Sequence, residues 1–141
     1  MATKEKTSIT VETTVKSAVE KVWKYWSEPE HIKKWAFAMD SWHAPYAEND
    51  LKTNGKFKTT MAAKDGSVSF DFEGVYTKVE TNKRIEYIMA DGRTVKVLFD
   101  SHGKETKVTE TFDAEDEHSI EQQRMGWQTI LENFKKYTEN N

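Results

Sequence analysis

The sequence predicts an α+β domain in which one strand and two short helices precede an antiparallel meander and a long final helix. Three observations carry this prediction: an alternating segment near the start, turn signals that divide the middle of the chain, and a helical stripe near the end. The length of 141 residues suits one domain. We expect residues 1–7 to be a flexible N-terminus, residues 8–138 to form the domain, and residues 139–141 to be a loose end.

The first strand is predicted over residues 8–14, because Ile9, Val11 and Thr13 fall on one face of an extended chain. Two short helices should follow. Ser17 and Glu20 have the spacing of a capping box, and Ser27 and Glu30 repeat it with a proline between them, where the missing amide costs nothing. Apolar residues recur at helical spacing behind the first box: Val19, Val22, Trp23 and Trp26.

The middle of the chain predicts a meander. Residues 37–51 have an irregular pattern that is compatible with a strand followed by a loop. Beyond them, glycine and asparagine turn signals separate runs that are rich in β-branched and aromatic residues. These runs predict strands over residues 56–63, 67–80, 84–90, 94–100 and 106–114. The second of them is long enough to bend, and Gly74 is the expected place.

A final helix is predicted over residues 119–137. Its apolar stripe consists of Ile120, Gln123, Trp127, Ile130, Leu131, Phe134 and Tyr137. Gly126 lies inside this helix, where glycine costs about 1 kcal/mol relative to alanine. A close approach of helix to sheet, or an opening beside Trp127, explains the glycine, and close packing is the favoured explanation.

The composition excludes several classes of function. With 21 basic and 24 acidic residues the net charge is −3, so no basic field attracts nucleic acid or an anionic membrane. The absence of cysteine excludes disulfides, thiolate nucleophiles and iron–sulfur clusters. The sequence has no signal-peptide pattern and no apolar run near the roughly 20 residues of a membrane span, which predicts a cytoplasmic protein.

No catalytic or metal-binding motif stands out. The sequence has no Gly-x-Ser-x-Gly elbow and no glycine-rich phosphate loop. The four histidines lack the spacing of a metal site: His31, His43, His102 and His118. We therefore expect neither a metal nor a cofactor.

The order and spacing of Val22-Trp23, Trp35 and Gly126-Trp127 resemble one family. The chain is similar to START-like proteins of the SRPBCC superfamily, specifically to single-domain relatives of the C-terminal domain of the heat-shock protein 90 ATPase activator. The resemblance spans about residues 8–138. It implies a helix-grip fold like that of the birch-pollen allergen, in which a curved antiparallel sheet wraps round the C-terminal helix. It also implies a cavity for an apolar or amphipathic small molecule, but no catalytic set. Segment 52–55 departs from the pattern, since it has one glycine where these proteins often have two.

Alternation along the predicted strands indicates which residues face the final helix. The inward residues are Phe57, Thr59, Met61, Phe70, Phe72, Tyr87, Met89, Val95, Val97 and Phe99, and Trp127 and Leu131 lie opposite them. For any one of them a filled core is the alternative interpretation. Two methionines, with polar groups on Thr59, Tyr87 and Gln123, favour a mostly apolar pocket that has a few orienting groups.

Glu110 shares a strand face with Val108 and Phe112 and should therefore point inward. An inward carboxylate needs a partner or a raised pKa, which makes Glu110 a candidate ligand-orienting group or general base. The alternatives are a position in water at a cavity mouth or a strand shifted by one residue.

The leading functional hypothesis is the binding of a small hydrophobic or amphipathic ligand, such as a lipid, for carriage, sequestration or sensing. A second is an enzyme that acts on a cyclic or polyketide-like substrate through Glu110 or Tyr87. A third is a co-chaperone-like domain that binds a heat-shock protein 90 homologue in a stress response, and the lack of the co-chaperone's N-terminal domain disfavours it. A monomer or a weak homodimer through a strand edge or region 42–46 is expected.

Overall fold

The computed structural model describes residues 7–141, and the elements follow the predicted order. The helices are α1 (Val19–Ser27), α2 (Pro29–Trp35) and α3 (Ile120–Glu139). The strands are β1 (Ser8–Val15), β2 (Trp42–Asn49), β3 (Lys56–Ala63), β4 (Ser69–Glu80), β5 (Arg84–Met89), β6 (Thr94–His102) and β7 (Glu105–Asp113). None of the helices within residues 7–141 combines the length and apolar character that crossing a membrane requires.

The seven strands form one antiparallel sheet in the order β1-β7-β6-β5-β4-β3-β2. After β1 the chain passes through α1 and α2 to the opposite edge, and the meander then returns strand by strand until β7 pairs with β1. The sheet curls into a half-barrel around α3. The predicted α+β helix-grip fold is confirmed.

The apolar core fills one half of the space between sheet and helix. Alternate residues of β1, β6 and β7 are buried, as a strand with one inward face requires. They belong to the same buried cluster as Leu131 and Phe134 in the C-terminal half of α3, which are both fully buried. The inner face of β3, β4 and β5 lies on the other side of this core, opposite the N-terminal half of α3.

The predicted capping boxes of the first two helices are wrong. Helix α1 begins at Val19, its N-cap residue is Ala18, and no side chain caps its N-terminus. Ser17 is instead held beside β7, because its carbonyl accepts a hydrogen bond from the Thr106 hydroxyl at 2.9 Å. Ser27 ends α1 and donates to the carbonyl of Trp23 at 2.6 Å. Pro29 does occupy the first turn of α2, as predicted.

Segment 37–51 follows the prediction of a strand and then a loop, because the edge strand β2 ends at Asn49; its pairing with β3 shifts between His43 and Tyr46. The irregularity of β4 is not at the predicted place. In β4 the pairing shifts between Tyr76 and Lys78, and not at Gly74. Gly74 serves packing, since a Cβ there would lie 2.5 Å from the Ile88 carbonyl oxygen.

The end of the chain is anchored, which corrects the expectation of a loose end. Helix α3 continues to Glu139, whose carboxylate accepts from the Lys16 amide at 2.8 Å and pairs with Lys135 at 2.5 Å. The Tyr25 hydroxyl donates to the carbonyl of Asn141 at 3.0 Å. The expected flexible N-terminus falls outside the described residues except for Thr7, whose carbonyl accepts from Ala114 at 2.8 Å.

Candidate ligand-binding cavity

A cavity of about 460 Å³ lies between the inner face of β3–β5 and the N-terminal half of α3. Its volume falls within the range of small-molecule sites, roughly 300–1,000 Å³. Ten of the fourteen residues predicted to bind ligand line it: Phe57, Thr59, Met61, Phe70, Phe72, Tyr87, Met89, Glu110, Gln123 and Trp127. The inward alternation of the strands and the amphipathic helix together place them there.

The remaining four predicted residues lie in the filled half of the core. Val95, Val97, Phe99 and Leu131 are all at most 5% exposed, and none of them is on the cavity wall. The inward face was identified correctly for them. Alternation cannot show where along the face packing ends and the cavity begins, because that boundary depends on how α3 crosses the curved sheet.

Aromatic rings form the sheet side of the cavity. Phe57 is at their centre, with ring centroids 4.8 Å from Tyr87, 5.1 Å from Tyr76 and 5.7 Å from Phe72. Tilted and edge-to-face arrangements of this kind stabilise aromatic clusters beyond the area they bury. The sheet wall is therefore apolar and firmly packed.

The helix side combines a stacked indole with a gap. The Trp127 ring stacks on Phe112 and meets Phe72 edge-on at 6.0 Å. The adjoining Gly126 lines the cavity, and a Cβ added there would have no atom within 4 Å. The favoured explanation of Gly126, close packing, is wrong, because the glycine lies beside open space.

Helices α1 and α2 close one end of the cavity. Trp26, Trp35 and Phe134 pack with pairwise centroid distances of 4.9 Å. The Trp35 indole donates to the carbonyl of Tyr25 at 3.0 Å, and the Asn133 amide donates to the carbonyl of Trp35 at 3.1 Å. These contacts tie the two short helices to α3, so this end is a fixed plug.

Glu110 lies on β7 between Val11 of β1 and Val97 of β6, and it faces the cavity. It is 6% exposed, and its side chain has no hydrogen bond or ion pair with any residue in the range 7–141. Burial raises the pKa of this carboxyl to about 8. The Glu110 side chain is therefore mostly protonated and uncharged at neutral pH.

Two further polar side chains on the cavity wall lack partners within the described part of the chain. Thr59 and Tyr87 are 6% and 7% exposed, and neither hydroxyl makes a hydrogen bond there. Burial raises the pKa of Tyr87 well above its usual value, and the nearby charge of Glu110 raises it further. Tyr87 is therefore a neutral phenol at any physiological pH, with an unused hydrogen-bond donor.

Asn49 and Tyr76 form a satisfied polar pair elsewhere on the wall. The Tyr76 hydroxyl donates to the Asn49 side-chain oxygen, and the Asn49 amide donates to the carbonyl of Ser27 at 2.6 Å. Burial raises the pKa of Tyr76. Because the pair links β4, β2 and the end of α1, its role is to hold the wall together.

The exposed rim of the cavity comprises Arg93, Glu115 and His118. Arg93 pairs with Asp91 at 2.7 Å, and the Glu115 carboxylate contacts the His118 ring at 3.1 Å. Glu115, Glu117 and His118 place three potential metal-ligand atoms within 4.8 Å of one another. The sequence spacing did not reveal this proximity. All three ligands are partly or fully exposed, and exposed acidic clusters are common without an ion.

The side-chain amide of Gln123 is not free to orient a ligand, although the sequence analysis predicted that it would be. Its side-chain oxygen accepts from the Glu115 amide at 2.8 Å, and its nitrogen donates to the His118 carbonyl at 2.9 Å. Its amide therefore holds the turn before α3. The side chains free to contact a ligand's polar groups are those of Thr59, Tyr87 and Glu110.

The curled seven-stranded sheet, the gripped helix and the cavity between them define a domain of the START-like SRPBCC class. A family model described as Activator of Hsp90 ATPase homolog 1-like protein matches residues 16–139. The chain therefore belongs to the family of Activator of Hsp90 ATPase homolog 1-like proteins.

Solved structures agree with this assignment. An AHSA1-like protein from Aeromonas hydrophila, studied by solution NMR, is 45% identical, with 95% of this chain and 93% of that chain aligned and a TM-score of 0.90. A protein from Cytophaga hutchinsonii is 58% identical over the same shares of the chains, with a TM-score of 0.82. A Chromobacterium violaceum protein at 18% identity shares the fold, covering 95% of this chain and 98% of its own with a TM-score of 0.83. No curated protein matches the chain.

Proposed function

We propose that this protein binds a small hydrophobic or amphipathic molecule in the cavity between β3–β5 and α3. One observation carries the proposal: a cavity of about 460 Å³ with an aromatic wall and three polar side chains that lack partners among residues 7–141. A domain that gained nothing from the space would be more stable if it filled it, because lost packing costs about 24 cal/mol per Å³.

The gap at Gly126 supports the same proposal. Glycine inside a helix costs about 1 kcal/mol relative to alanine, and no packing contact at this position requires glycine. A residue that weakens the helix and leaves space beside the cavity is expected where a ligand must enter or fit.

Binding, rather than catalysis, is the function that the groups present favour. Glu110 is uncharged at neutral pH and has no second acid, base or nucleophile hydrogen-bonded to it in the described part of the chain. A general acid or base needs a pKa near the operating pH and a position within reach of the proton that it moves. Glu110 meets the pKa condition as an acid near neutral pH, so turnover of a substrate that Glu110→Gln abolishes would identify an enzyme.

The direct test is native mass spectrometry of protein purified from its own host, followed by solvent extraction and mass identification of anything released. We expect a stoichiometric bound molecule that extraction releases. The variant Thr59→Trp places a large ring on the cavity wall and should abolish this binding.

Thr60→Trp is the matched control, since Thr60 is the next residue of β3, points away from the cavity and is absent from its wall. It should retain the bound molecule. Equal ligand content in the two variants would contradict the proposal. Stimulation of an Hsp90 homologue's ATPase by both variants, with no ligand in the wild type, would support a co-chaperone-like role instead.

A further inference from the structure

The unpartnered polar groups of the cavity specify the chemistry of its occupant. Glu110, Tyr87 and Thr59 are each more than nine-tenths buried, and they face the same apolar space from β7, β5 and β3. Buried polar groups in folded proteins almost always have a hydrogen-bond partner. Three such groups on one cavity wall have no partner in residues 7–141 and are open to the cavity, so a molecule bound there can supply the partners.

The other titratable groups on the wall are already engaged. They pair as Tyr76 with Asn49, Glu48 with Tyr46, Arg93 with Asp91, and Glu115 with His118. On the strands that flank Glu110, the neighbours Val11 and Val97 carry no charge. The α3 residues on the cavity wall are also uncharged: Gln122, Gln123, Gly126, Trp127 and Ile130. Among residues 7–141, Tyr87 is the group that the charge of Glu110 influences. Arg93 is the only lysine or arginine on the wall within residues 7–141; its Nε pairs with Asp91 at 2.7 Å, and its charge also acts on Tyr87 and Glu115.

Each kind of ligand head group would meet this site differently. A carboxylate would have to give up its hydration in an apolar space, and burying an ionised group there costs far more than burying a hydroxyl. An ammonium group would pair with the ionised form of Glu110, which at neutral pH must first release its proton to solvent, and it could not accept hydrogen bonds from Tyr87 or Thr59. A hydroxyl group both donates and accepts, so one or more hydroxyl groups can pair with these side chains without a net charge.

We infer that the occupant is an uncharged apolar molecule that carries one or more hydroxyl groups, at least one of which donates to Glu110. Tyr87 and Thr59 are the donors for its oxygens. This inference rests on the proposed ligand-binding function and narrows it to alcohols and phenols.

The test compares four probes that share one ring system: 1-naphthalenemethanol, 1-methylnaphthalene, 1-naphthylmethylamine and 1-naphthoic acid. A parallel series with a flexible alkyl chain in place of the rigid ring consists of decanol, decane, decylamine and decanoate. Isothermal titration of the full chain at pH 7 should give an alcohol affinity about tenfold or more above that of the matched hydrocarbon. The amine and the acid should bind more weakly than the alcohol.

Substitutions at Glu110 and Tyr87 test the assignment within the cavity. Glu110→Leu keeps the volume but removes the polar group, so it should erase most of the alcohol's advantage over the hydrocarbon. Glu110→Gln keeps an uncharged acceptor and should retain that advantage. Tyr87→Phe should reduce it, and Thr60→Trp, outside the cavity, should leave it unchanged.

The outcomes separate a failure of this inference from a failure of the proposed ligand-binding function. If hydrocarbons and alcohols bind equally, or if the amine or the acid binds tightest, the inference is overturned while ligand binding stands. If no probe of either series binds, and Thr59→Trp does not alter the ligand content of the purified protein, the proposed ligand-binding function fails together with this inference. An alcohol preference that survives Glu110→Leu would also overturn the inference, because the hydroxyl would then be recognised elsewhere.

Discussion

The indole of Trp127 lies almost parallel to the ring of Phe112, with centroids 3.8 Å apart and an interplanar angle of 10°. Phe112 is two residues from Glu110 on the same inward face of β7. This stack therefore fixes the N-terminal half of α3 against the sheet beside the buried carboxyl, and it separates the filled core from the cavity.

Loss of this stack should destabilise the domain. Trp127→Ala removes the ring and its contacts with Phe112 and Phe72, and we expect about 3 kcal/mol lower free energy of unfolding. Urea denaturation followed by circular dichroism measures the change. Trp42→Ala is the control, because the Trp42 ring meets only Phe70, at 5.8 Å, among the described aromatic pairs, and a smaller loss is expected. Equal losses of stability in the two variants would show that the Trp127–Phe112 stack stabilises the domain no more than the Trp42–Phe70 contact does.

Glu110 should make stability fall as pH rises. Burial raises its native pKa to about 8 from an ordinary 4.5, so between these values the native state holds a proton that the unfolded state lacks. The stabilisation is complete below pH 4.5 and is lost as pH rises towards 8, by at most about 1.4 kcal/mol per pH unit.

The contribution of Glu110 is measured by denaturant unfolding of the wild type and Glu110→Gln at pH 5, 6, 7 and 8.5. All other titratable groups are the same in the two proteins, so their effects on stability cancel in the comparison. The two proteins should have similar stabilities at pH 5, and the glutamine variant should be the more stable one by several kcal/mol at pH 8.5. Parallel curves would mean that Glu110 is solvated in the native state.

Gly126→Ala should stabilise the protein by about 1 kcal/mol. The new methyl group meets no atom within 4 Å, and alanine removes the entropic cost of glycine in a helix. Thermal or urea unfolding checks this. A loss of stability would restore the close-packing explanation that the structure contradicts.

The Asn49–Tyr76 pair should show strong coupling. Tyr76→Phe is expected to cost about 1 kcal/mol, and Asn49→Ala should cost about 1–3 kcal/mol because it also leaves the carbonyl of Ser27 without its donor. The double variant should cost less than the sum of the two. A double-mutant cycle by urea denaturation measures the interaction, and additive losses would show that the hydrogen bond contributes nothing.

Sequence patterns predicted the fold here because each local signal agreed with the next: alternating strands, turn residues at the hairpins and one long amphipathic helix. They also gave Glu110 its inward direction, since strand alternation depends only on register. They failed where a tertiary contact decided the outcome. Ser17 has a capping pattern, yet Thr106 holds its carbonyl, and Gln123 has an inward position, yet the turn before α3 uses its amide.

Trp26, Asn49 and Arg93 were missed as cavity residues for a similar reason. They come from a helix, an edge strand and a turn that lie far apart in sequence, and no periodicity links them. Gly126 was the one local signal of open space, because it is a residue that the helix itself does not favour.

Helix α3 follows all seven strands in the chain and covers their inner face. During synthesis the sheet residues leave the ribosome before the helix that shields them, so a broad aromatic surface is exposed to solvent until α3 is made. At a synthesis rate of roughly 5–20 residues per second, the 20 residues of α3 take between one and a few seconds. The nascent chain is most exposed to aggregation, and to holdase chaperones, in that interval.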